Sequence, residues 1–142
     1  LIYYQKLQQM VKDLHLSNHV VITGHRSDIP YIMTASDVIV HSSSKPEPFG
    51  RVIVEGMLSG QPTIATAAGG VLDIIEDGVT GLLVPLQDAK AIAKATLQLL
   101  QDRQQSKLIG QQAKIVAQKR FSTKQNASVV QEIYQKMLSR ST

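Results

Sequence analysis

The chain has 142 residues, 43% of them hydrophobic but with only two Phe and no Trp, so a single core must be filled by Val, Ile, Leu and Ala. Cysteine is absent, which excludes disulfides, thiolate metal sites and cysteine nucleophiles and fits a reducing compartment. The net charge of +4 is uneven: residues 1–102 carry 7 Lys and Arg against 10 Asp and Glu, net −3, while residues 103–142 carry 8 against Glu132 alone, net +7. A basic helical tail can attract anionic lipid or nucleic acid. With no nucleic-acid module and few aromatics for base stacking, nucleic acid is not an expected partner. The basic end reads as a solvated face, a surface for an acidic neighbouring domain, or a peripheral membrane contact. No apolar run approaches the roughly 18 residues of a membrane span, and no signal peptide is visible. The chain opens on Leu1-Ile2-Tyr3-Tyr4 without a methionine, as if cut from something longer.

In chain order, short β-branched runs alternate with helical segments, which predicts βα units and a parallel sheet. A helix over 2–15 is followed by a strand at 20–23. A helix over 28–35, with Asp28 as N-cap, leads to a strand at 38–40. A helix over 50–59 precedes a strand at 63–66, and a short helix over 71–76 precedes a strand at 82–84. The strands are short, nearly continuous apolar runs, as expected of strands buried on both faces. Three helices complete the chain: 88–101 capped by Asp88, 105–119, and 123–138 opened by a capping-box pattern of Ser122 and Gln125. In the last helix Val129, Val130, Ile133, Tyr134, Met137 and Leu138 form one apolar stripe that needs a surface to cover it, here or on a partner.

The chemistry concentrates in residues 46–60, Pro-Glu-Pro-Phe-Gly-Arg-Val-Ile-Val-Glu-Gly-Met-Leu-Ser-Gly. Pro48 biases Glu47 away from the α region and leaves it in the loop before the helix. Gly50 allows a ligand to approach the backbone, and Gly60 with Pro62 ends the helix. The opening turn has unpaired N–H groups and a positive dipole end, which suits a phosphate. Glu55 stands eight residues after Glu47, roughly 12 Å of helical rise. Carboxylates that share one glycosidic bond stand about 5–9.5 Å apart, so the two are poorly placed as a hydrolase pair. They could grip the two ends of an elongated ligand whose anionic middle rests on the helix start, the layout of a nucleotide-diphosphate sugar. For the bare spacing alone, a solvated Glu at a helix start plus a surface Glu is the simpler account.

Other strand-exit loops converge on the same edge. Thr66-Ala67-Ala68-Gly69-Gly70 follows one strand, and small residues there allow close approach, although a tight turn also explains the glycine pair. Gly24-His25-Arg26 and His41-Ser42-Ser43-Ser44 follow two others. His41 could touch a ligand or be a core histidine. His15 and His19 lack a third ligand and read as surface residues. No Walker A loop, G-x-G-x-x-G or G-x-S-x-G is present.

The stretch SSSKPEPFGRVIVEGMLSGQPTIATAAGG at 42–70, then DIIEDGVTGLLVP at 73–85 and a helix bearing Asp88 and Leu99-Leu100, closely resembles the carboxyl-terminal domain of family 4 (group 1) glycosyltransferases. The likeness covers roughly residues 20–138. It implies an α/β fold: a Rossmann-like parallel sheet with helices on both faces, the C-terminal half of a GT-B fold. It implies sugar transfer from a nucleotide-diphosphate sugar donor, with retention of configuration, no metal and no other cofactor. By position, Glu47 matches the Glu that contacts the donor sugar beside the reacting carbon. Phe49, Gly50 and Arg51 match residues whose backbone meets sugar and diphosphate. Glu55 matches the Glu that holds the ribose hydroxyls. Gly24 to Arg26 match the loop lining the base, and Gly69 and Gly70 the loop near sugar and phosphate.

Two departures accompany the likeness. Asp73 stands where the family usually has Glu. Two further strands and a basic pair that clamps the diphosphate normally open such a domain, and nothing before Leu1 supplies them. In the strand order 3-2-1-4-5-6 they would lie between the strands at 20–23 and 38–40. With the acceptor-binding domain also lacking, the 142 residues are not expected to be a competent transferase alone. Residues 1–142 then read as a partial donor-binding domain ending in an amphipathic helix over 122–142, and as part of a cytoplasmic enzyme at or away from the membrane face. The competing reading is a non-catalytic sugar-nucleotide-binding or interaction fragment of a truncated or split gene.

Overall fold

Strands β1 (Ile39–His41), β2 (Thr63–Thr66) and β3 (Leu82–Val84) lie side by side in that order, all parallel, in the computed structural model, which describes residues 2–139 except the side chains at 123, 124 and 126. The register pairs Ile39 with Thr63 and His41 with Ala65, then Ile64 with Leu82 and Thr66 with Val84. All four residues of β2 are buried, as befits a middle strand covered on both faces.

Alternation along the strands sends side chains to two separate apolar clusters. On one face Ala65 packs with Ile53, Val54 and Met57 of α3 (Arg51–Ser59) and with Val71 and Ile74 of α4 (Val71–Ile74). On the other, Ile64, Leu82 and Val84 pack with Ala95 and Leu99 of α5 (Ala89–Gln101). Helix α6 (Arg103–Arg120) serves both, giving Ile109 to the second cluster and Ala113 and Ala117 to the first. It crosses α3 so closely that a Cβ at Gly110 would overlap the Gly60 carbonyl oxygen. The parallel sheet with helices on both faces is therefore as expected.

Residues 20–23 are not a strand of this sheet. They run without regular structure, with Val21 85% exposed. A strand exists only through its ladder, and the neighbours expected between this segment and β1 are not among the described residues.

Several helix limits also moved. Helix α1 (Ile2–Asp13) stops short of 15, just before His15 takes a left-handed φ of 54°. Helix α4 ends at Ile74 because Ile75 is extended. Asp28 does not cap α2 (Ile29–Ala35). Its carboxylate is taken instead by Arg26, which donates from Nε at 2.8 Å and from Nη2 at 2.6 Å. Asp102, unforeseen, ends α5 and caps α6 by accepting from the Gln105 amide at 2.9 Å, so the two helices meet at one residue. Asp88 accepts from the Ala91 amide at 2.9 Å as expected. Replacing Asp88 by Ala should lower stability by about 1 kcal/mol, read as a lower urea midpoint at unchanged slope.

Helix α7 (Thr123–Ser139) is opened by the Ser half of the capping box, Ser122 Oγ accepting from the Gln125 amide at 3.1 Å. Its stripe stays exposed, Ile133 by 52% and Tyr134 by 63%. Residues 140–142, counted in the predicted terminal segment, lie outside the described residues.

Candidate functional site

The loops leaving β1 and β2 are tied together at the carboxyl edge of the sheet. Thr66 Oγ1 donates to the Ser43 carbonyl at 3.0 Å, and the Gly70 amide donates to the Glu47 carbonyl at 2.8 Å. Glu47 and Gly69 form an isolated parallel bridge. The glycine pair is needed for this approach. A Cβ at Gly69 would overlap the Glu47 carbonyl oxygen, and one at Gly70 would stand 2.5 Å from the Pro48 oxygen. The space these glycines leave is filled by protein backbone, and that backbone carries Glu47.

From there the chain turns into α3 through Gly50, whose left-handed φ of 90° sets the helix direction without a side-chain cap. The Ile53 amide donates to the Gly50 carbonyl at 2.9 Å. The amides of Arg51 and Val52 are the donors that a helix opening leaves without an intrahelical acceptor. No capping side chain competes for them, so they remain suited to an anion.

Two hollows lie along α3, one at its opening and one further on. One, of about 270 Å³, is lined by His41, Glu47, Phe49, Gly50 and Arg51. The other, of about 430 Å³, lies between α2 and α3 and is lined by Arg26, Pro30, Met33, Glu55 and Leu58. Arg51 lines the first, with Nη2 3.8 Å from Glu55 Oε1 one helical turn on. The Glu47 and Glu55 side chains are 34% and 45% exposed, so both are open to a ligand yet partly fixed. A larger open groove between α5 and α6, lined by Lys90, Lys94, Leu97 and Arg103, holds none of these residues.

The structure thus brings Glu47, Phe49, Gly50 and Arg51 to one hollow and Arg26 and Glu55 to the other. Gly24, at φ 69°, turns the loop that carries Arg26 but does not line either. The guanidinium of Arg26 holds the Asp28 carboxyl below its ordinary value, against a small opposing effect of desolvation. That pairing also aims Arg26 along the wall of the second hollow.

Sequence reasoning missed the support around these residues. Phe49 meets Phe121 edge to face at 6.1 Å between ring centres, and Arg120 lies over the Phe121 ring at 5.2 Å. Arg120 Nη2 also donates to the Asp73 carbonyl at 2.8 Å, so Arg120 and Phe121 together touch α4 and the loop that leads into α3. Phe121 is one of only two Phe in the chain, but 72 positions of sequence separate it from Phe49 and only the fold reveals the contact. Pro30 and Met33 of α2 line the second hollow and were not among the residues singled out in the sequence. Among the described residues, no three His, Cys, Asp or Glu side chains stand together as a metal site. No described helix is long and apolar enough to cross a membrane.

Residues 3–116 match the family model of the glycosyl transferases group 1. The N-acetyl-alpha-D-glucosaminyl L-malate synthase of Bacillus anthracis is 32% identical over 130 residues, 92% of this chain and 34% of that protein. The solved structure of Anabaena HepE in complex with UDP superposes with a TM-score of 0.88 at 37% identity, over 96% of this chain and 37% of that one. HepE has also been solved with UDP-glucose, with a TM-score of 0.87. Sucrose-phosphate synthase of Thermosynechococcus elongatus gives 0.87 at 30% identity, over 96% and 34%. The chain spans about a third of the length of these relatives. Its sheet and surrounding helices correspond to the carboxyl-terminal half of their GT-B architecture. The chain belongs to the group 1 glycosyltransferases.

Proposed function

We propose that this chain is the donor-binding part of a retaining glycosyltransferase that moves a sugar from a nucleotide-diphosphate sugar to a glycan, lipid or small-molecule acceptor held by a separate amino-terminal domain. One observation carries the reading: Glu47 lines a hollow at the start of α3, Glu55 lines a second one between α2 and α3, and Arg51 of the first stands 3.8 Å from Glu55 of the second. An elongated donor fits that layout, with sugar toward Glu47, diphosphate at the Arg51 and Val52 amides, and ribose and base toward Glu55 and the Gly24–Arg26 loop. Phe49 and Gly50 shape the sugar end, and Gly69 and Gly70 hold the Glu47 loop in place. No metal or cofactor enters this reading.

In the reaction the bond from the anomeric carbon to the phosphate oxygen breaks, and the nucleoside diphosphate leaves with the electron pair. The acceptor oxygen bonds to that carbon and passes its proton to the departing phosphate oxygen. Positive charge grows on the sugar beside the Glu47 carboxylate while negative charge grows on the phosphate beside the helix amides, so both groups act through preorganised electrostatics. On this reading the working enzyme is cytoplasmic. Peripheral contact with anionic lipid is part of the reading, supported by the lysines of α6, Lys107, Lys114 and Lys119.

Isothermal titration of the full-length protein with UDP and UDP-glucose tests the assignment. Glu55→Ala should weaken UDP binding roughly 10- to 100-fold, the loss of hydrogen bonds from ribose hydroxyls to a charged group. Unchanged affinity would remove Glu55 from the donor site. Binding without transfer would favour the non-catalytic reading.

A further inference from the structure

We propose that His41 is a positioning residue that holds the Glu47 carboxylate in its working rotamer; the inference rests on the transferase reading above. His41 is the last residue of β1, paired in register with Ala65, and its side chain is only 15% exposed. Its Nδ1 is buried and has no hydrogen-bond partner. Its Nε2 faces Glu47 Oε2 at 3.9 Å across the hollow that both residues line, with Arg51 as the other charged side chain there.

Putting the ring proton on Nε2 spares a buried N–H at Nδ1 that would have no acceptor. A donor hydrogen is then aimed at the carboxylate. At 3.9 Å the pair is too long for a hydrogen bond but close enough for a small side-chain movement to make one. The two partners differ in freedom: the imidazole is held by the sheet, while the Glu47 side chain sits in a loop and is 34% exposed. A sugar occupying the hollow therefore moves the carboxylate toward the ring, not the ring toward the carboxylate. The resulting charge-assisted hydrogen bond takes one carboxylate oxygen and leaves the other for the sugar.

The test is steady-state release of UDP from UDP-glucose by the full-length transferase. His41→Leu should lower kcat roughly 10- to 100-fold, the size of a misplacement effect, with the donor KM changed less than about threefold. His41→Gln, whose amide reaches the Nε2 position, should recover most of kcat, whereas His41→Asn, which reaches only Nδ1, should not. If Leu prevents folding, the Gln and Asn comparison decides. A His41→Leu enzyme within about twofold of wild-type kcat, a loss confined to KM, or Gln no better than Asn would each overturn the proposal. A wild type that binds no nucleoside diphosphate and releases none from any nucleotide-diphosphate sugar would overturn the transferase reading and this inference with it.

Discussion

Glu47→Gln in the full-length transferase is expected to lower kcat by roughly 100- to 1,000-fold while leaving affinity for UDP-glucose within about threefold. The amide keeps the shape of the side chain, so ground-state contacts with sugar hydroxyls largely survive. On the proposed donor placement, what disappears is a negative charge beside the carbon that becomes cationic as the leaving group departs. An interaction that strengthens only in the transition state shows in kcat and not in binding. The carboxylate is partly screened from water, at 34% side-chain exposure, so its charge acts through a lower effective dielectric than at an open surface. Rapid-quench turnover of the donor, alongside titration calorimetry, separates the two quantities. A Gln enzyme with wild-type kcat would take Glu47 out of the catalytic role.

Gly69→Ala should be the most damaging small substitution at the site. Gly69 has a φ of 63°, which Ala tolerates poorly, and its added Cβ would overlap the Glu47 carbonyl oxygen. Strain and overpacking together predict a loss of about 1–3 kcal/mol in stability. Since the displaced backbone carries Glu47, a fall in kcat should accompany it even under conditions where the variant is fully folded. Gly70→Ala separates the causes. Gly70 has an ordinary φ of −62°, but its Cβ would stand 2.5 Å from the Pro48 oxygen, so any loss there is steric. Urea denaturation of both variants gives the comparison. Gly69→Ala within about 0.5 kcal/mol of wild type would show that the two loops separate without cost.

Legibility differed by the range of the interaction. Asp88 and Ser122 were readable as caps because a cap is satisfied within three residues. Asp28 looked the same in sequence and did otherwise, because Arg26 two positions away offers a fork that outcompetes a single amide. The segment at 20–23 has the right composition for a strand, but composition cannot supply the neighbour that makes one. The Gly69-Gly70 pair was legible as a place of close approach, yet not as an approach to the Glu47 backbone, since that partner lies more than twenty residues away.

The sequence by itself determined the family, the alternation of short strands and helices, and the two carboxylates flanking a helix start, because each is written in local spacing and residue type. The tertiary structure alone decided that Glu47 and Glu55 each line a hollow beside α3, that Arg51 stands near Glu55, and that His41 and Phe121 lie against Glu47 and Phe49. Those relations depend on which loops the parallel register brings to one edge and on how α6 crosses α3. Contacts between residues far apart in the chain follow from the packing of whole elements, and no local pattern encodes them.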